Sequence, residues 1–131
     1  MKFINLILFI IPFFVFSQED RLSISMENGK SLYEDFCLRC HLPNGKGVKG
    51  IFPPLAKSDF LFKNMEKSIK AIKFGGIDGE IIVNGLKYNS KMEKMGLYDD
   101  EIADVMNYIL NSWGNKHNKI IKEAYVKSLK K

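Results

Sequence analysis

The stretch FCLRCH, residues 36–41, holds both cysteines of this 131-residue chain and one of its two histidines. Cys37 and Cys40 have no other cysteine with which to pair, and His41 follows them directly. Two thiols and an imidazole at this spacing are typical of three kinds of site: a redox dithiol, part of a zinc site, or a covalent haem attachment site. The residues around the stretch discriminate among the three.

The zinc and dithiol alternatives fit the surrounding sequence poorly. Zinc normally takes four protein ligands, or three and a water, and the only other histidine, His117, lies in a lysine-rich segment. A redox pair typically sits between a strand and a helix, whereas this pattern predicts a helix before the motif and a loop after it. Cys-x-x-Cys-His is instead the signature of haem c attachment. We therefore predict one haem c, bound covalently through Cys37 and Cys40, with His41 as an iron ligand.

The N-terminal residues predict export. Lys2 precedes an almost wholly apolar run over residues 3–16, and Val15-Phe16-Ser17 is typical of a signal-peptidase cleavage site. The run is too short for a stable membrane span, although an uncleaved anchor is the alternative. We predict a cleaved signal peptide over residues 1–17 and a periplasmic mature protein, which is long enough for one compact domain.

Positive charge is concentrated near the C-terminus. Residues 115–131 carry six lysines and one acid, whereas residues 18–114 carry 13 basic and 14 acidic side chains. The globule is therefore almost neutral, and its composition argues against nucleic-acid binding. We predict a haem-binding domain over residues 18–114, followed by a basic amphipathic extension over residues 115–131.

Hydrophobic periodicity predicts mostly helical structure. We predict a first helix that is capped by Asn28 and ends at the motif, followed by a loop over residues 42–54. A second helix is predicted over residues 65–74 and stops at Gly75-Gly76. A hairpin is predicted within residues 79–88, with its turn at Asn84-Gly85. A last helix follows, capped by Asp99 or Asp100 and stopped by Gly114, with a buried stripe of Ile102, Val105, Met106, Ile109, Leu110 and Trp113.

A six-coordinate haem iron needs a second axial ligand, and methionine is a common one. Met92 and Met95 lie in an irregular segment between the hairpin and the last helix, from which a side chain can reach the haem face opposite His41. The carbonyl of Pro53 can fix the orientation of the His41 imidazole. Leu55 is then expected to lie against the haem plane.

These residues resemble the class I monohaem cytochromes c, the soluble mitochondrial and bacterial type. The resemblance covers residues 27–114 and is carried by Gly29, Tyr33 and Phe36, the motif at 37–41, Pro53-Pro54-Leu55, residues 79–88 and residues 99–115. It implies an all-α class I cytochrome c fold, with three to five helices around one covalently bound haem and a short hairpin. In that family the first and last helices cross at the positions of Gly29 and Tyr108.

The resemblance also implies Met92 as the second iron ligand. Glu93 follows it where family members usually carry proline, and Tyr98 stands where a helix-capping serine is usual. Met95 is therefore kept as the alternative ligand. We expect a weaker iron–sulfur bond than in relatives that have the proline.

The function implied is one-electron transfer to and from redox partner proteins, not enzymatic catalysis. Two alternatives stay open: a peroxidase or gas sensor whose distal methionine dissociates, and an electron-transfer subunit of a larger dehydrogenase or reductase. The basic extension either packs onto the globule through Ile121, Ala124, Tyr125 and Leu129, or binds an acidic partner or an anionic membrane surface. In both cases we expect its removal to leave the haem spectrum unchanged.

Overall fold

The computed structural model describes the backbone of residues 11–131 and the side chains of residues 19–131. Its elements are α1 (Ile11–Phe36), α2 (Leu38–His41), α3 (Asp59–Lys63), α4 (Met65–Phe74), β1 (Ile81–Val83), β2 (Leu86–Tyr88), α5 (Asp99–Leu110) and α6 (Glu123–Ser128). The predicted helical fold with one short hairpin is confirmed. The predicted signal peptide lies outside the residues whose side chains are described, and no helix in the described part is long and apolar enough to cross a membrane.

Helices α1 and α5 cross at the centre of the fold. A Cβ at Gly29 would clash with the carbonyl of Asp104 and lie 2.9 Å from Cβ of Tyr108, so only glycine permits this close approach. Asn28 does not cap α1, because the helix continues past it toward the N-terminus. Its amide instead donates to Asp104 at 3.2 Å, and Ser25 donates to the same carboxylate at 2.5 Å.

Helix α5 supplies the largest share of the core. The predicted stripe is confirmed for Ile102, Val105, Met106, Ile109 and Leu110, which are all almost fully buried. The helix begins after Tyr98, whose backbone N–H donates to the Glu101 carboxylate at 2.8 Å, so the predicted aspartate caps lie in the first turn. It ends at Leu110, before Gly114, and Trp113 lies in the following turn with a φ of 53°.

The predictions of the hairpin and of helix α4 are confirmed. Strands β1 and β2 pair antiparallel with Val83 opposite Leu86, and Asn84 and Gly85 turn the chain with φ angles of 49° and 80°. Helix α4 covers residues 65–74 and stops at Gly75, whose φ is 86°. Helix α3 was not predicted, although Ser58 caps it by accepting from the backbone N–H of Leu61 at 3.2 Å.

The C-terminal extension packs onto the globule. Its buried apolar side chains are Ile121, Val126 and Leu129, whereas Ala124 and Tyr125 of the predicted apolar face are exposed. The prediction of that face is confirmed for Ile121 and Leu129 and wrong for Ala124 and Tyr125, because α6 has only six residues and a helical period does not extend from residue 121 to residue 129. The buried amide of Asn107 on α5 exchanges hydrogen bonds with the backbone of Ile121 at 2.9 and 2.8 Å.

Candidate haem-binding site

The two cysteines lie at the junction of α1 and α2. Cys37 follows the last residue of α1 and is buried, and Cys40 lies in α2 and is partly exposed. Burial, and then the neighbouring Cys40, raise the pKa of the Cys37 thiol to about 11. A redox dithiol needs a lowered thiol pKa and typically follows a strand. Both observations argue against the dithiol alternative.

His41 is held in one orientation. Its Nδ1 lies 2.9 Å from the carbonyl oxygen of Pro53, as the sequence suggested. Because a carbonyl only accepts, Nδ1 carries the proton, and the lone pair of Nε2 is left for a metal. Burial lowers the pKa of His41, which the contact with Pro53 partly opposes. The imidazole is therefore neutral at pH 7, the form that binds iron.

A glycine allows the chain to bring Pro53 to His41. The backbone N–H of Gly47 donates to the His41 carbonyl at 3.0 Å. At position 47 the φ is 61°, and a Cβ would clash with the carbonyl of Phe52 and lie 2.7 Å from that of Pro53. Any side chain here would therefore push away the carbonyl that orients the imidazole.

Three aromatic side chains secure the residues that follow His41. The Tyr33 hydroxyl donates to the Leu42 carbonyl at 2.6 Å, and the indole N–H of Trp113 donates to the Pro43 carbonyl at 3.0 Å. The rings of Tyr33, Tyr108 and Trp113 pack together with centroids 5.0 to 5.5 Å apart. Leu42 adopts a φ of 64°, which is unusual for a leucine and is maintained by these contacts.

Leu55 is positioned by hydrogen bonds from two directions. Its N–H donates to the Gly45 carbonyl at 2.7 Å, and its carbonyl accepts from the Asn115 amide at 3.0 Å. The same buried amide donates to Ile109 at 2.8 Å and accepts from the N–H of Lys57 at 2.8 Å. Asn115 thus ties the loop that carries Leu55 to the end of α5.

These residues enclose a cavity of about 410 Å³. All the residues proposed for the site from sequence line it: Cys37, Cys40, His41, Pro53, Leu55, Met92 and the alternative Met95. The rest of the wall is mainly apolar and includes Phe52, Phe60, Leu61, Ile72, Ile77, Val83, Met106 and Ile109. Two cysteines, an imidazole with a free nitrogen and a thioether sulfur around an apolar space are the groups that a haem c requires.

Comparison with known proteins agrees with this geometry. The family model Cytochrome c matches residues 26–113, which is more than half of the chain. This chain belongs to the cytochrome c family. Its cofactor is therefore haem c, attached through the cysteines of the Cys-x-x-Cys-His motif.

Individual relatives of this cytochrome c differ in length. A cytochrome c-552 of Thermus thermophilus is 37% identical over 98 residues, which are 72% of this chain and 66% of that protein. The cytochrome c subunit of a quinone alcohol dehydrogenase from Gluconobacter oxydans is 32% identical over 95 residues, 66% of this chain but 18% of that subunit. The FixP subunit of a cbb3-type cytochrome c oxidase from Bradyrhizobium diazoefficiens is 31% identical over 93 residues, 67% of this chain and 30% of FixP. The chain thus spans just under two thirds of the first relative and less than a third of the other two.

The far wall of the cavity is the distal loop, residues 89–97. Met92 is partly buried and packs against the hydrophobic core, and Met95 is partly buried at the cavity wall. The ammonium of Lys91 pairs with the exposed Asp78 at 2.6 Å, which raises the pKa of Lys91 and lowers that of Asp78. We find no hydrogen bond from the loop's backbone groups to any described residue.

Several residues of the site were missed from the sequence. Phe60 and Leu61 line the cavity from α3, and the Ser58-Asp59 pair before them is a helix-start signal that predicts this helix. Gly47 and Asn115 give no comparable signal. Their roles depend on atoms that the fold brings together.

Proposed function

We propose that this cytochrome c carries single electrons in the periplasm, with Cys37 and Cys40 as the haem anchors and His41 and Met92 as the axial ligands of the iron. Bound haem supplies the redox chemistry, because its iron changes between the ferrous and ferric states. The observation that carries the proposal is that His41, oriented by Pro53, and Met92 line the same apolar cavity. Imidazole and thioether ligands hold iron six-coordinate, which suits electron transfer better than substrate binding.

The protein residues act by orienting the His41 imidazole and by shaping the apolar wall of the cavity. Pro53 keeps the proton of His41 on Nδ1, so the same nitrogen faces the cavity in both oxidation states. Leu55 contributes an apolar side chain to the cavity wall. Hydrogen bonds with Gly45 and Asn115 fix the position of its backbone. The apolar wall excludes water, which favours the state with less net charge and so contributes to the reduction potential.

Met92 is proposed over Met95 because of its packing. Met92 lies against the hydrophobic core as well as at the cavity, whereas Met95 is not among the side chains that pack on the core. Packing limits the conformations of the long methionine side chain, so less entropy is lost when sulfur binds iron.

The ligand assignment is tested by spectroscopy of the holoprotein. A pyridine haemochrome spectrum reports haem c, and the near-infrared band of ferric iron bonded to sulfur reports a methionine ligand. We expect Met92→Ala to abolish the band and to make the reduced protein bind carbon monoxide at neutral pH. Met95→Ala is the matched control and keeps the wild-type spectrum. The reverse pattern would replace Met92 by Met95 as the proposed ligand.

Carbon monoxide binding by the wild-type protein separates a carrier from a sensor or a peroxidase. The distal loop has no backbone hydrogen bonds to the described residues, and this observation favours the second candidate, in which the methionine dissociates and opens the iron. A carrier binds carbon monoxide poorly in the wild-type form. Strong binding by the wild-type protein at neutral pH would favour the sensor or peroxidase.

We propose redox proteins as the donor and acceptor, and no substrate of its own for this protein. Support comes from relatives that are named as the cytochrome c subunit of a quinone alcohol dehydrogenase and as a subunit of a cbb3-type cytochrome c oxidase. We also propose a signal peptide over residues 1–17, a cytochrome c domain over residues 18–114 and an extension over residues 115–131. N-terminal sequencing of the exported protein should begin at Gln18.

A further inference from the structure

The distal loop rests directly on the end of α4. A Cβ at Gly76 would lie 3.0 Å from the carbonyl oxygen and 3.1 Å from the nitrogen of Met92. At Gly75 a Cβ would lie 3.2 Å from the nitrogen of Lys94. The two glycines, which directly follow α4, thus bring the chain against the backbone of Met92 and of Lys94 in the distal loop. Any shift of this end of α4 displaces the loop.

Lys73, in the last turn of α4, connects this end of the helix to two distant segments. Its ammonium pairs with the Asp99 carboxylate at 2.9 Å and donates to the Val126 carbonyl at 2.8 Å. The Lys73 side chain is only 17% exposed. Hydrogen bonds from an ammonium to partly buried acceptors are stronger than those on an open surface. Lys73 therefore links α4 to the start of α5 and to the C-terminal extension.

The extension is anchored where Lys73 meets it. Val126 is fully buried and Leu129 nearly so, both within the hydrophobic core. Beyond them, Lys131 lines a cleft of about 310 Å³ together with Gly76, Asp78 and Met92. The extension thus contacts α4 through Lys73 and reaches the same cleft as the distal loop.

We propose that the C-terminal extension supports the distal loop, and that Lys73 is the positioning residue through which it does so. The inference rests on the proposed function, because it requires a loop methionine as iron ligand. Lys73 sets the position of the Gly75–Gly76 pair, and that pair sets the position of the residues around Met92. The support replaces the rigidity that a proline at position 93 would provide. It also opposes the sequence-based expectation that removal of the extension leaves the haem spectrum unchanged.

The test is Lys73→Met in the holoprotein, which keeps the length of the side chain and removes its charge. We expect the fraction of iron without bound sulfur to rise about tenfold, the size expected for losing a charged hydrogen bond. The near-infrared sulfur–iron band and the carbon monoxide affinity of the reduced protein both report this fraction. Lys73→Arg restores the cation and recovers most of the band. Lys67→Met, at an exposed position of the same helix, leaves both readouts unchanged.

Two further variants separate positioning from general stability. Val126→Ala loosens the extension without changing any residue of α4, and we expect it to shift both readouts in the same direction as Lys73→Met. Ile102→Val removes one methyl group from the buried stripe of α5 and lowers only the unfolding temperature. An equal loss of the sulfur–iron band in Ile102→Val and Lys73→Met would overturn the inference.

The outcomes also distinguish the inference from the ligand assignment. A wild-type protein without the sulfur–iron band overturns the proposed methionine ligation, and the inference with it. A wild-type band that is unchanged in Lys73→Met overturns the inference alone.

Discussion

The two loops that face each other across the cavity are held in different ways. In the proximal loop, residues 42–58, the Gly45 carbonyl accepts two backbone hydrogen bonds, from Leu55 at 2.7 Å and from Ala56 at 2.9 Å. Further bonds come from Asn115 and from Trp113. The distal loop, residues 89–97, makes no backbone hydrogen bond to the described residues. It lies on the two glycines that follow α4 and is joined to Asp78 by the side chain of Lys91.

This difference concerns the two proposed axial ligands. Each net hydrogen bond stabilises a folded segment by about 1 kcal/mol, so the proximal loop opens less readily than the distal one. His41 is therefore oriented by its own loop. Met92 depends on the elements next to its loop. Substitutions in the proximal loop should act mainly on stability, and substitutions around the distal loop mainly on ligation.

The largest expected effect is that of Gly47→Ala in the proximal loop. The new Cβ collides with the carbonyl of Phe52 in a backbone conformation that disfavours side chains. We expect a loss of about 4 kcal/mol in the free energy of unfolding, combining overpacking with the left-handed conformation. Chemical unfolding of the holoprotein, followed by haem absorbance, measures it.

Gly96→Ala in the distal loop is the matched control. Gly96 also has a positive φ, 75°, but nothing lies within 4 Å of a Cβ there. Only the conformational cost of about 1 kcal/mol remains. Equal losses for the two variants would contradict the contrast between the loops.

Asn115→Ala should have the next largest effect. The substitution leaves the N–H of Lys57 and the carbonyls of Leu55 and Ile109 without their partner. Unsatisfied groups in a largely buried site cost about 3 kcal/mol together. The same unfolding measurement applies, with the exposed Asn118→Ala as control. A loss of stability no larger than that of the control would show that water replaces these bonds.

The smallest effect concerns the link between the start of α3, directly after the proximal loop, and the hairpin. The Asp59 carboxylate accepts from the backbone N–H of Asn84 at 2.7 Å, and this bond, with help from Lys63, lowers the pKa of Asp59. A lowered pKa in the folded state stabilises the protein above the unfolded pKa of about 4, and the contribution disappears as the pH falls below it. Asp59→Asn should therefore melt slightly below wild type at pH 7, and the two melting temperatures should converge toward pH 3. A gap that persists at pH 3 would contradict this origin.

The parts of the fold that were predicted correctly depend on neighbours in the chain. The hairpin follows from Asn84-Gly85, because two adjacent residues with positive φ make the turn. Helix α4 ends at Gly75 for a similar local reason. Cys37, Cys40 and His41 share one junction because they are three and four residues apart, so the haem attachment site could be predicted from five consecutive residues.

The wrong or missing predictions involve partners that are distant in sequence. Asn28 has the features of a helix cap, but α1 continues past it, and its amide donates to Asp104 on α5, 76 residues away. The buried face of the extension includes Val126, whose carbonyl accepts a hydrogen bond from Lys73, 53 residues earlier in the chain. The side chain of Asn115 accepts a hydrogen bond from the backbone N–H of Lys57, 58 residues earlier in the chain.

The sequence by itself thus determined the cofactor, because haem c attachment requires a short local pattern, and the same pattern predicts its two anchors and one iron ligand. Only the tertiary structure decided how the other side of the cavity is held. Hydrogen bonds and packing between distant segments leave no periodic or local signal, and they form only when the whole chain is folded.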